Sequence, residues 1–223
     1  MNLDKDGRPY IDIVNFYPDN FFDKHINEEF IQNVMRIALQ IDDWRDGNAN
    51  YFEQDRLCGT VPFEFTIASD SRRKNTFVQK MLTGKYFSED VDNDMFEYIS
   101  TALDKKAQKK YSIPNTHLSI LCIEELTSWV FDEYGVVSTI FVLDRREEFF
   151  SKIKMKYIES GIFNNIFIIF PDISAKWWVW DVKTNKKVSI QLLENAILSE
   201  KIPFVMEKSA YNEIISKARA KEI

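Results

Sequence analysis

Two short apolar runs, His117 to Ile123 and Asn165 to Phe170, constrain the fold of this chain more than any other feature. Neither shows the strict polar–apolar alternation of a strand with one wet face. Both are too short for a buried helix, and both meet breakers: Pro114 and Asn115 before the first, Pro171 after the second. Strands buried on both faces belong in the middle of a sheet covered by helices on both sides. The two segments are therefore expected to be central strands of one sheet.

The remaining periodicities fit that frame. Asn27 is placed to cap a helix over residues 28–44, with Phe30, Val34, Ile37, Ala38 and Ile41 at helical spacing. Residues 10–22 read as an extended lead-in. Tyr51 to Leu57 and Val61 to Ala68 read as a hairpin spanning 51–68, turned by Cys58, Gly59 and Thr60. Helices are expected within 71–110, one over Phe77 to Leu82 and a second with Val91, Met95, Ile99, Ala102 and Leu103 on its buried face. After strand 117–123, Leu126 to Phe131 reads as helical, and Val136 to Leu143 fits strand or helix. Asp144 and Glu147 have the spacing of a capping box and open a helix to about Glu159. A hairpin over Trp177 to Leu192, a strand at 203–206 and a helix over 211–220 complete the chain. The order predicts a single α/β (α+β) domain over residues 1–223, with a central mixed sheet flanked by helices.

Composition narrows the class. Of 223 residues, 45% are hydrophobic and 29% charged, which fits a folded chain and excludes disorder as the main state. Eighteen Phe, nine Tyr and five Trp promise a core heavy with rings. Twenty-nine basic residues against 35 acidic give a net charge of −6. That opposes nucleic-acid binding over the whole surface but leaves room for a local basic groove. Two cysteines exclude a disulfide scaffold or zinc cluster, and two histidines exclude a multi-histidine metal site within the chain. The polar start, Met1 to Gly7, lacks a signal-peptide segment, and no apolar stretch approaches the ~20 residues of a membrane helix. A soluble cytoplasmic protein is expected, with no membrane partner.

Two acidic constellations can carry chemistry. In the first, a hairpin brings Asp55 and Glu64 together across a tight turn, and hard divalent cations are held by such carboxylates. Arg72, Arg73 and Lys74 follow directly and are suited to phosphate. With its preceding helix and following helix and strand, this segment resembles the PD-(D/E)XK nuclease superfamily, of restriction-endonuclease-like fold. The resemblance covers about residues 28–123. It implies that Asp55 and Glu64 hold Mg²⁺ or Mn²⁺ and that water attacks a phosphodiester of DNA, or of RNA, in restriction or host defence. Thr66 stands where the family has its lysine, so Lys74 or Lys80 is expected to migrate into that role. The second constellation, Pro171-Asp172 followed by Asp181-x-Lys183, matches the family's letters better but its topology less well. Asp172, Asp181 and Lys183 therefore form the competing site.

The alternative is a non-catalytic interaction protein: a degenerate nuclease fold, or an inhibitor that binds a protein partner. The net negative charge and the missing lysine after Glu64 favour it. A homodimer is compatible with either reading.

Overall fold

The structure, a computed structural model, describes residues 2–3, 5, 9–16, 18, 20–21, 23–48, 53–68, 82–87, 94–122, 130–132, 135–137, 147–172, 174–199 and 201–220. Strands β1 (Asn2–Leu3) and β2 (Pro9–Phe16) precede helix α1 (Lys24–Leu39). An antiparallel meander follows: β3 (Trp44–Asp46), β4 (Arg56–Cys58) and β5 (Val61–Ala68). Next come β6 (Leu82–Phe87), α2 (Asp94–Ala107), β7 (His117–Cys122) and the small hairpin of β8 (Val130–Asp132) and β9 (Gly135–Val137). Helix α3 (Glu147–Ile153) runs on as a π-helical segment, Lys154–Glu159. Then come β10 (Asn165–Asp172), β11 (Lys176–Asp181), β12 (Lys186–Gln191), α4 (Glu194–Leu198), β13 (Phe204–Glu207) and α5 (Lys208–Ala220).

Seven strands form the main sheet in the order β12-β11-β10-β7-β5-β4-β3. The central three, β5, β7 and β10, are parallel, in register from Phe63↔His117 and Asn165↔His117 onward. The outer pairs are antiparallel, so the sheet is mixed. The two apolar runs are thus adjacent central strands, as their composition demands. Asn165 through Pro171 are all buried. A second sheet is built on β2, which pairs antiparallel with β1, β6 and β13.

Side-chain alternation divides the core between the two faces of the main sheet. On one face Ile31, Val34 and Met35 of α1 pack on Phe63, Phe65, Leu121, Phe167, Ile169, Trp177 and Val179. On the other, Ile99 and Leu103 of α2 and Phe150 and Ile153 of α3 pack on Leu118, Ile120, Ile166, Ile168 and Trp180. The smaller sheet has its own cluster, in which Val14, Phe204 and Met206 meet Ile197, with Tyr211 and Ile214 of α5 against them. Among the described residues no helix is long and apolar enough to cross a membrane.

Several local expectations are corrected. Helix α1 spans 24–39 rather than 28–44, because Asn27 is inside it and its amide donates to the Asp23 carbonyl (2.9 Å). The helix ends at Gln40, in the left-handed region at φ 56°, which frees Trp44 to start β3. Residues 10–16 are not a lead-in but part of β2. Leu82 is strand rather than helix end, because the 82–87 segment pairs with β2 along its length; residues 77–81 lie outside the described set. Val130 and Phe131 are strand rather than helix, paired to Val137 and Val136. The capping residues at 144–146 lie outside the described set. Tertiary strand pairing has overridden local periodicity at each of the two strand sites.

Burial separates the centre of the sheet from its edge. Ile168 is fully buried in β10, whereas Val188 of edge strand β12 is 43% exposed. Ile168→Ala is expected to cost about 2–5 kcal/mol in urea unfolding. Val188→Ala should fall within about 0.5 kcal/mol of the parent protein.

Candidate active site

The site begins where β4 stops matching β5. Strand β4 pairs with β5 only from Cys58↔Val61 to Arg56↔Phe63, around a turn where Gly59 takes φ 56°. Asp55 and Glu64 are the next residues on each side. Beyond that point Phe65 lacks a ladder partner on this edge, and side chains take over. The Asp55 carboxylate accepts the Phe65 N–H at 2.8 Å, and the Lys106 ammonium donates to the Phe65 carbonyl at 2.7 Å. Strand alternation turns Glu64 toward the α2 face, away from Phe63 and Phe65.

Around these backbone atoms the charges converge. Glu64 is 2% exposed, and its Oε1 accepts from Lys106 Nζ and, at 2.7 Å, from Lys109 Nζ. Lys106 Nζ also lies 3.8 Å from Asp55 Oδ2. Lys24, at the start of α1, approaches Asp55 Oδ1 at 3.5 Å and Glu28 Oε1 at 3.3 Å. Arg56 lies 3.8 Å from the other Glu28 oxygen and donates to Gln32 at 2.7 Å. The Tyr111 hydroxyl closes one side, 3.4 Å from the Lys106 carbonyl.

Electrostatics follow from this packing. Burial pushes the Asp55 carboxyl up, but Lys106, the Phe65 N–H, Lys24 and Lys109 outweigh it and hold the group below its ordinary range. Burial and the Asp55 charge raise Glu28 against the pull of Lys24 and Arg56. Lys106 is lowered, chiefly by desolvation, with Glu64 and Asp55 opposing. Lys109 is raised: partial burial pulls it down, but the bond to Glu64 together with the Glu64 and Asp55 charges outweighs that. Tyr111 is pushed up by burial and by the nearby Glu64 and Asp55 charges. The cluster is a chain of alternating charge, Arg56–Glu28–Lys24–Asp55–Lys106–Glu64–Lys109, across a central strand.

Two carboxylates and the Phe65 carbonyl surround one point, an all-oxygen donor set of the kind a hard divalent cation takes. In this respect the residues fit Mg²⁺ or Mn²⁺, and the Lys106 ammonium stands at that point as a cation. Among the described residues no three His, Cys, Asp or Glu side chains converge on one metal-sized site.

The second constellation is not brought together. Asp172↔Lys176 and Phe167↔Asp181 are the terminal pairs of the β10–β11 ladder, five residues apart, or about 17 Å along the strand. Asp172 is absorbed by the Ser174 N–H and hydroxyl, each 3.1 Å away, and by the Trp178 indole at 3.0 Å. Asp181 accepts from the Asn165 amide at 2.9 Å and the Thr184 N–H at 3.0 Å. Lys183 does not share a strand face with Asp181, as the spacing suggests, but sits in the turn after β11, donating to the Asn164 carbonyl at 3.0 Å. These are the contacts of a hairpin's own polar groups. His117 is likewise structural in its contacts: its ring lies near Phe63 and Phe167, and its Nε2 is 2.6 Å from the Asn164 amide. Burial, with help from Lys183 and against the pull of Asp181, lowers it to about 4.

Arg72, Arg73, Lys74 and Lys80 lie outside the described residues. The lysines that the structure puts beside Glu64 are Lys106 and Lys109. The 105–110 basic run reads in sequence as a solvated helix end, yet Lys106 follows Ile99, Ala102 and Leu103 at steps of seven, four and three. That places it on the buried stripe of α2. Glu28 carries the same signal, three and seven residues before Ile31 and Met35 of the buried α1 face. A charge in phase with an apolar stripe is the mark that could have found both. The chain matches no protein-family model, no curated protein and no solved structure.

The depressed Asp55 carboxyl has a defined sign in folding. Its folded value lies below its unfolded one, so its contribution is complete above the ordinary aspartate range. That contribution disappears as pH falls through the folded value. Asp55→Asn should cost about 1–3 kcal/mol at neutral pH. It should also flatten the fall in stability below about pH 4 in urea titrations taken across the acid range.

Proposed function

We propose that this protein is a metal-dependent nuclease of restriction-endonuclease-like fold that hydrolyses phosphodiester bonds in DNA. The observation that carries the reading is the convergence of Asp55, Glu64 and the Phe65 carbonyl on one cation position, with lysines from α2 and the turn after it alongside. The element order supports it: α1, the β3-β4-β5 meander, α2, then β7 parallel to β5. Strand β6 departs from this order, entering between β5 and α2 to join the second sheet.

Asp55, Glu64 and the Phe65 carbonyl would hold Mg²⁺ or Mn²⁺, which when bound acidifies water and stabilises charge on a leaving oxygen. Lys109 is half exposed and takes the charge-stabilising part that the resemblance gives to Lys74 or Lys80, holding a phosphoryl oxygen by a charge-assisted bond. Asp55 is kept ionised by its neighbours and stays an acceptor at neutral pH. Arg72, Arg73 and Lys74, which follow β5 in sequence, would contact the nucleic-acid backbone. The second reading, a non-catalytic interaction protein, is favoured by one observation: lysines already neutralise the carboxylates, Lys106 and Lys109 at Glu64 and Lys24 and Lys106 at Asp55.

Plasmid cleavage with Mg²⁺ or Mn²⁺, with a chelator control and an RNA panel in parallel, separates the two. Glu64→Gln should abolish cleavage, since the amide keeps the shape but removes the ligand charge. Asp181→Asn, a hairpin position, should cut at the parent rate. Absence of both cleavage and metal binding in the parent would move the protein to the interaction class. Replacing Arg72, Arg73 and Lys74 together by alanine should weaken duplex binding regardless of sequence. In a salt titration the slope of log K against log salt should become shallower by about 0.9 for each phosphate no longer neutralised.

A further inference from the structure

The position that two carboxylates and a carbonyl define is filled by the chain itself. Lys106 Nζ donates to Glu64 Oε1 and to the Phe65 carbonyl at 2.7 Å, and stands 3.8 Å from Asp55 Oδ2. An ammonium has three donors and no acceptor; two of them here bond Glu64 Oε1 and the Phe65 carbonyl, with the Asp55 carboxylate nearby and Lys109 sharing the Glu64 oxygen. Two charged groups at such a point exclude each other by volume and by repulsion. We propose that Lys106 is a built-in cation that competes with a divalent metal for this position, so that metal enters only as Lys106 swings out. This deepens the nuclease reading, and rests on it for the identity of the competing ion.

Three features of the site support competition over a fixed structural bridge. The acceptors do not depend on Lys106 for their own placement. Glu64 and Phe65 are fixed by β5, which is paired with β7 from Phe63 to Ala68, and Asp55 is held by the Phe65 N–H. Lys106 lies in the last turn of α2, one residue from its end, where a four-carbon stem can re-aim without moving a strand. Lys109 already donates to Glu64 Oε1 from the solvent side, so Glu64 keeps a cationic neighbour while Lys106 moves. The displaced ammonium would then point toward solvent, as the half-exposed Lys109 does.

The test uses Mn²⁺ alone, with no nucleic acid, followed by electron paramagnetic resonance titration and by the Mn²⁺-dependent shift in Tm. Lys106→Ala should bind Mn²⁺ at least about tenfold more tightly than the parent, because a cation has left the site. Lys156→Met removes one positive charge at an exposed pair with Asp104, which helical phase turns about 200° away from Lys106 on α2, and should bind as the parent does. Equal affinity in Lys106→Ala and the parent would overturn the proposal. So would an equal gain in Lys156→Met, since net charge alone would then explain it.

Lys106→Ala leaves Glu64 with one ammonium fewer and can fail to fold without metal, so a second measurement uses the parent chain. Amine acetylation read by mass spectrometry should find Lys106 protected in chelator and modified at millimolar Mn²⁺, with Lys156 unchanged between the two. Protection that persists in Mn²⁺ overturns the proposal whatever the variant does. The two readings fail separately. Metal-dependent cleavage by the parent without any gain in Lys106→Ala removes the competition and keeps the nuclease. Tighter Mn²⁺ binding by Lys106→Ala with no cleavage by either protein removes the nuclease and keeps the competition.

Discussion

A carboxylate on a central strand, 2% exposed, must be compensated where it stands, and Glu64 sets the arrangement around it. Its neighbours answer that demand from three directions. Lys106 and Lys109 reach in from the end of α2 and the turn beyond it, and Asp55, beside β4, draws both Lys106 and Lys24 of α1 into the same field. Removing one partner of such a group is far more damaging than the net worth of the pair suggests, because the other charge stays buried. The two helices on opposite faces of the sheet are thereby tied to the same charged cluster beside β5.

Backbone geometry decides where this happens. Strand β4 is short, and its pairing with β5 ends at Phe63, so the Phe65 N–H and carbonyl are open on that edge. Buried backbone groups do not stay unpaired, and the nearest acceptor and donor are the Asp55 carboxylate and the Lys106 ammonium. The same break in pairing that threatens the sheet therefore gathers an acid, a carbonyl and a second acid around one point. The rest of β5 is secured by β7, which is in turn locked against β10. Rigid strands hold the oxygens, while the lysines come from a helix terminus and long stems. A fixed anionic frame with adjustable cations is what exchange between an internal ammonium and an external ion requires.

The central strands are legible in the sequence because their signal is one of composition: β7 and β10 are apolar on both faces, and few other structures tolerate that. Ile99, Ala102 and Leu103 likewise mark the buried side of α2. The pairing of Asp55 with Glu64 is legible in outline, since a tight turn at Gly59 forces facing residues together. By contrast, Leu82 of β6 and Val130 and Phe131 of β8 read as helix or helix end. Their pairing partners are remote for β6 and local but weakly patterned for β8. Asp172, Asp181 and Lys183 make a better string of letters than a site, because two ends of one strand are far apart however close their spacing looks.

The sequence by itself determined a mixed α/β architecture, the identity of its central strands and the acidic hairpin, because periodicity and turn chemistry act over a few residues. Only the tertiary structure decided which cations meet that hairpin. Lys106 is 42 residues from Glu64 along the chain, and their meeting depends on how α2 crosses the sheet after β6 has left it for the second one. A lysine's phase on a helix says that it faces inward. What it faces is fixed by packing over the whole domain, and no local pattern records it.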